Sequence, residues 1–218
     1  MANSKLERKL ERIITKNMNK EQYIIDKYKL DVKNQTAPYE IKISRWQSFP
    51  KLLAELGVKN MAEIGVEKGL YSDCLLKKIP DLKLYCIDPW KIYIDYRQGM
   101  ESATEKYYKH ASELLKDRAT LIRKYSLDAV KDFENESLDM VFIDANHDFQ
   151  NCTNDIVEWE KKVKKGGIIA GHDYCNEVCK NERIDVKGVV DGWASSQGIK
   201  TWFLITGDRR QVWFYIKK

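Results

Sequence analysis

Short apolar runs alternate with segments of helical period through most of this chain. The runs are Met61–Ile64, Leu82–Ile87, Thr120–Ile122, Met140–Ile143, Ile168–Ala170, Trp202–Ile205 and Val212–Ile216. Phe149, Cys152, Ile156, Trp159 and Val163 recur at alternating spacings of three and four, the apolar stripe of an amphipathic helix. Val186, Val189, Val190 and Trp193 repeat that signal. Strands alternating with helices predict right-handed crossovers and a mainly parallel, doubly wound α/β sheet of seven strands. The last two runs are joined only by Gly207-Asp208-Arg209-Arg210. That link is too short for a crossover helix, so it predicts an antiparallel hairpin at the C-terminal end.

The first 30 residues follow a different pattern. Leu6, Leu10, Ile13 and Ile14 share one helical face, Ile24 and Ile25 follow, and no glycine or proline precedes Pro38. This predicts a helical N-terminal extension over 1–40, with a hinge at Asn34–Pro38 and the main domain over 41–218. A helix so charged fits a cap on the main domain or a pairing surface for a second copy. Pro50 opens a short helix that Gly57 closes.

Composition narrows the class. At 218 residues, 43% of them hydrophobic, the chain can bury one sizeable core. No window approaches the roughly 18 consecutive apolar residues of a membrane span. The charged N-terminus lacks the apolar core of a signal peptide. Five scattered cysteines predict reduced thiols in a cytoplasm rather than a disulfide scaffold. The net charge of +5 comes from basic residues interleaved with acidic ones. It points to a solvated surface, not a nucleic-acid stripe.

Four polar clusters sit just past apolar runs. Glu63-Ile64-Gly65-Val66-Glu67-Lys68-Gly69 follows the first run and opens a helix. Glycines there let a ligand approach the backbone and the free N–H groups of a helix start, although Glu67 stands where a dinucleotide fingerprint has its middle glycine. Asp88, closing the second run before Pro89 and Trp90, suits a ribose, because a carboxylate accepts from both vicinal hydroxyls. The third and fourth clusters are Asp144-Ala145-Asn146-His147-Asp148 and Gly171-His172-Asp173-Tyr174. Two of the three histidines of the chain lie in them. Asp144, Asp173 and His172 form a hard, carboxylate-rich set for Mg²⁺ or another divalent ion. Cys175 and Cys179 raise zinc as an option, but they read more simply as small apolar side chains on a helix. Asp148 is the better helix cap by residue type, which leaves His147 for chemistry.

The runs EIGVEKGLYS, CIDPW and FIDANHDFQNCTNDIVEWEKKVKKGGIIAGHDY, in that order, resemble class I S-adenosylmethionine-dependent methyltransferases. The likeness is greatest to the small-molecule O-methyltransferases related to catechol O-methyltransferase and the macrolide-sugar methyltransferases. It covers roughly residues 58–218. It implies a Rossmann-like fold and S-adenosylmethionine as cofactor. Glu63 and Gly65 would then face the methionine end with Ser72 nearby, Asp88 would hold the ribose hydroxyls and Ser126 would sit by the adenine, while Gly69 of the glycine turn and Trp90 are further expected cofactor neighbours. Asp144 would be both cofactor neighbour and metal ligand, with His172 and Asp173 completing the metal set. His172 departs from the oxygen donor usual there. His147 matches the general-base position.

Two other readings stay open on the residues alone. One is a nucleoside-binding module of the same fold without turnover. The other is a nicotinamide-dependent oxidoreductase, which the missing glycine fingerprint and the terminal hairpin disfavour. Nothing in the chain names the acceptor, expected to be a small hydroxylated molecule such as a sugar or phenol. Tyr93, Tyr96, Tyr107, Tyr108 and His110, within 91–116, are expected to line its wall.

Overall fold

A computed structural model describes residues 19–91, 101–179 and 182–218. The element order is α1 (Lys20–Tyr28), β1 (Tyr39–Ile41), α2 (Phe49–Glu55), β2 (Asn60–Ile64), α3 (Leu70–Lys78), β3 (Lys83–Ile87), α4 (Glu101–Leu115), β4 (Thr120–Ile122), α5 (Ser126–Ala129), β5 (Leu138–Ile143), α6 (Phe149–Glu160), β6 (Val163–Gly171), β7 (Glu177–Cys179), β8 (Glu182–Ile184), α7 (Val186–Ser196), β9 (Phe203–Ile205) and β10 (Val212–Ile216).

The main sheet runs β1-β9-β10-β6-β5-β2-β3-β4. Pairs β2–β3, β2–β5, β3–β4 and β5–β6 are parallel, and β10 is antiparallel to both β6 and β9. The expected α/β class and the antiparallel C-terminal hairpin are therefore present. The strand count differs, with eight strands in place of seven. Tyr39–Ile41 adds an edge strand parallel to β9. Its three residues, buried, exposed and buried in turn, are too short a pattern to stand out from the preceding hinge.

Successive residues of the central strands feed opposite layers, because side chains alternate across a strand. Met140 and Phe142 pack with Leu52, Leu53, Tyr71, Leu75 and Leu115 on one side. Val141 and Ile143 pack with Cys152, Ile156, Trp159, Val186 and Val190 on the other. Both faces are covered, which is why β5 and β10 read as continuous apolar runs. Ile24 of α1 is fully buried in the first layer.

Two further expectations change. Val163 begins β6 rather than ending α6. Its spacing suits the stripe, but Lys161 and Lys162 leave the helix through a turn, and Val163 pairs with Leu138. Cys175 precedes β7 and Cys179 ends it, so the two lie on a β-hairpin and not on a helix. Leu6, Leu10, Ile13, Ile14, Tyr93 and Tyr96 lie outside the described residues.

Candidate functional site

The ladder brings all four clusters to one rim. Asp88 N donates to Ile122 O at 3.2 Å, Gly65 N to Ile87 O at 2.9 Å, Asp144 N to Ile64 O at 2.7 Å and His172 N to Ile143 O at 3.0 Å. Each bond extends a parallel pairing one step past its strand, so the loops leave at the same level. The chain runs outward from β2 to β3 and β4, then returns to β5 on the other side of β2. The crevice between β2 and β5 is therefore the topological switch point, where ligands bind in open α/β sheets.

Gly65 fixes the width of that crevice. Its φ is +87°, and a Cβ there would sit 2.0 Å from the carbonyl oxygen of Asp144. A side chain is excluded by backbone on the far wall, not by a movable neighbour. Gly69 caps α3 at φ +74°.

One half of the rim gathers carboxylates around the glycine turn. Glu63 is 2% exposed, and burial raises its carboxyl to about 8 despite the hydrogen bond from Ser72 Oγ. Asp88 Oδ2 accepts from Val66 N and Glu67 N, both at 3.0 Å, and Oδ1 accepts from Trp90 N at 2.7 Å. The residue expected to meet a ribose thus also ties down the glycine turn. Trp90, at φ +44°, donates its indole N–H to Glu67 O at 2.8 Å. Ser126 has its hydroxyl engaged elsewhere: it donates to Asp155 and accepts from Trp159 Nε1 at 2.8 Å.

The other half is a compact charged cluster. His147 Nε2 lies 3.5 Å from Asp144 Oδ1 and 3.2 Å from Asp173 Oδ2. His172 Nδ1 lies 3.5 Å from Asp144 Oδ2 and 3.3 Å from Asp173 Oδ2. Burial alone would push the carboxyls up and the imidazoles down. Their mutual attraction wins, taking Asp144 down to about 2 and Asp173 well below its usual range. The same contacts raise His147 to about 10 and raise His172. Asp148 caps α6 by accepting from Asn151 N at 2.9 Å, so His147 is not the cap.

Among the described residues, the group able to converge on one ion is Asp144, His147 and Asp173, with donor atoms within 4.8 Å of one another. His172, the imidazole expected in this set from the sequence, makes contacts of similar length to the same two carboxylates.

Several residues of the site escape a reading of the sequence. Arg45 reaches in from the segment before α2 and places Nη1 3.5 Å from Asp144 Oδ2. Arg210, from the β9–β10 link, places Nε 3.5 Å from Asp173 Oδ1 and bonds Glu177 at 2.9 Å. Neither belongs to a strand-end cluster, and only the tertiary fold delivers them. Asp155 did leave a signal: it falls beside Ile156 on the apolar stripe of α6, where a carboxylate is out of place. Lys68 packs over the Tyr107 ring at 4.5 Å, and its carbonyl contacts His110 Nδ1 at 2.9 Å, so α4 closes over the glycine turn.

Residues 62–174, just over half the chain, match the family model of a methyltransferase domain. An uncharacterized protein, R132, of Acanthamoeba polyphaga mimivirus is 29% identical over 116 residues. That match covers 51% of this chain and 50% of the viral protein, so it spans only half the length of its curated relative. Solved structures share the fold at low identity. A Staphylococcus aureus protein provisionally assigned as a caffeoyl-CoA O-methyltransferase aligns with TM-score 0.62 at 17% identity, over 100% of both chains. An O-methyltransferase from Bacillus cereus, solved with S-adenosylhomocysteine, aligns with TM-score 0.55 at 16% identity, over 95% of this chain and 97% of that one. The O-methyltransferase TomG of Streptomyces achromogenes, solved with S-adenosylmethionine, gives 0.53 at 16%, over 81% and 82%. With its glycine turn and its acid–imidazole cluster both inside the matched segment, the chain belongs to the methyltransferase-domain family.

Proposed function

We propose that this chain is an S-adenosylmethionine-dependent O-methyltransferase acting on a small hydroxylated acceptor, a sugar or a phenol, with a divalent cation assisting. The observation that carries the reading is the shared rim. Gly65 and Asp88, expected to meet the cofactor, leave their strands at the same rim as the loops that carry Asp144, His147 and Asp173. A plain nucleoside-binding module has no use for the second set.

Methyl transfer from a sulfonium is an in-line displacement, so positioning accounts for much of the catalysis. The glycine turn and Asp88 would hold the cofactor, with Glu63 and Ser72 at its methionine end. Ser126 would shape the adenine side through the backbone of α5, since its hydroxyl is engaged with Asp155. Asp144, His147 and Asp173 would hold the cation, and an imidazole in the set suits Mn²⁺ or another first-row ion as well as Mg²⁺. When bound, the ion would supply Lewis acidity to an acceptor hydroxyl. His147 carries a proton when raised to about 10, so it accepts another group's proton only after losing its own. His147, expected as the general base, and His172 lie against the same two carboxylates, and either imidazole would take the acceptor's proton once its own is lost.

The reading places the protein in a reducing cytoplasm, in keeping with free thiols at Cys74, Cys86, Cys152 and Cys175. No helix among the described residues is long and apolar enough to cross a membrane. Residues 1–30 are proposed as a helical extension that packs on the domain or pairs with a second copy, and Ile24 of α1 lies in the domain's core. Incubating the chain with methyl-labelled S-adenosylmethionine and panels of hydroxylated sugars and phenols, with and without EDTA, tests the activity. Metal-dependent label transfer is expected. Full turnover in excess EDTA would remove the cation from the proposal, and tight cofactor binding with no turnover on either panel would favour the binding module.

A further inference from the structure

Arg45 is held more firmly than its distance from the strands would suggest. Asp208 accepts from both Ser44 Oγ and the Arg45 backbone N–H, pinning the segment to the β9–β10 link. The guanidinium carbon lies 4.7 Å from the Trp46 ring centre and 5.1 Å from that of Tyr71. The side chain is only 14% exposed, yet among the described residues its one ion pair is the 3.5 Å contact with Asp144. Asp144 already divides its charge between two imidazoles. A guanidinium has five N–H donors in a planar fork, and stacking on rings leaves the edge of that fork open.

Tyr71 supplies an independent observation. The residue is 6% exposed, and its hydroxyl is buried with no hydrogen-bond partner among the described residues. Burial raises the phenol's pKa well above its usual value, and Arg45, Glu63, Cys74 and Asp144 are the ionisable groups it feels. An orphaned buried hydroxyl beside an under-used guanidinium is a costly arrangement unless a ligand completes it.

We propose that Arg45 and Tyr71 form a carboxylate-binding subsite at the head of the crevice, Arg45 offering its fork and Tyr71 a further O–H. The inference rests on the methyltransferase reading. The carboxylate has two sources: the amino-acid end of the cofactor, beside Glu63 and Ser72, or a carboxylate carried by the acceptor next to the hydroxyl that is methylated.

Calorimetry on the full chain separates them. S-adenosylhomocysteine carries the amino-acid carboxylate, and 5′-methylthioadenosine keeps the nucleoside and thioether without it. If the cofactor is the source, Arg45→Gln weakens S-adenosylhomocysteine roughly ten- to hundredfold and leaves 5′-methylthioadenosine unchanged. Tyr71→Phe, which keeps the ring, gives a smaller loss of the same kind. If the acceptor is the source, S-adenosylhomocysteine affinity is unchanged. Salicylate, a carboxylate beside a hydroxyl, then binds the product-saturated wild type and not Arg45→Gln. Equal affinities of wild type and variant for all three probes would overturn the subsite, as would equal losses for both nucleosides. Wild type that binds neither nucleoside would instead sink the methyltransferase reading. Circular dichroism of Arg45→Gln and Tyr71→Phe separates these outcomes from misfolding.

Discussion

His147 Nε2 stands 3.2 Å from Asp173 Oδ2, joining the loop after β5 to the end of β6. With Asp144 at 3.5 Å from the same nitrogen, the imidazole is enclosed by two carboxylates. A proton on His147 and a cation would compete for these carboxylates.

Proton release on ion binding follows from that competition. Near pH 7.5 the cation-free site holds a proton on His147, whose pKa is raised to about 10. Titrating Mn²⁺ in buffers of different ionisation enthalpy should release about one proton per ion. Binding that releases none would place the ion away from His147. In the absence of metal the sign is also fixed. A raised histidine stabilises the fold fully below its unfolded pKa of 6.5, and that contribution is lost as pH rises through about 10. The stability advantage of wild type over His147→Gln in urea should therefore shrink between those limits.

Gly65→Ala meets two obstacles, a positive φ and a backbone oxygen 2.0 Å from the new Cβ. The two strand-end loops would have to part. A loss of at least about 2 kcal/mol in chemical denaturation is expected, together with lost nucleoside binding. A variant with wild-type midpoint and affinity would show that the crevice is not set by this contact.

Asp88→Ala should be felt without any ligand present. It removes the acceptor from Val66, Glu67 and Trp90 N–H groups. About 2 kcal/mol of stability is expected to go, alongside cofactor affinity. A variant that lost affinity but melted like wild type would confine Asp88 to the ligand.

Asp155 makes a different test. Burial raises its carboxyl from 3.8 to about 7 even though Ser126 donates to it. A raised acid costs stability as pH climbs from its unfolded pKa to its folded one. Asp155→Asn keeps an acceptor for Ser126 and cannot ionise. Its stability relative to wild type should rise by about 4 kcal/mol between pH 4 and pH 8. Parallel pH profiles of the two proteins would contradict this.

The strand-end clusters were legible in the sequence because parallel pairing fixes where they emerge. Once Ile64, Ile87 and Ile143 close neighbouring strands, Gly65, Asp88 and Asp144 must share a rim. What the sequence could not supply was direction within the rim. Ser126 turns its hydroxyl to α6 because Asp155 and Trp159 offer a buried acceptor and donor there. His147 and His172 sit on adjacent loops with similar contacts to Asp144 and Asp173, so residue type and spacing do not choose between them as the third ligand. Arg45 and Tyr71 meet across the join between a peripheral segment and α3, a distance that no local spacing encodes.

The central claim is that the β2–β5 crevice binds the S-adenosylmethionine nucleoside. Titrating the full chain with S-adenosylhomocysteine and, separately, with NAD by calorimetry tests it most directly. The expected result is one-to-one binding of S-adenosylhomocysteine, abolished by Gly65→Ala in protein that remains folded by circular dichroism, with no heat from NAD. Saturable binding of NAD with none of S-adenosylhomocysteine would contradict it.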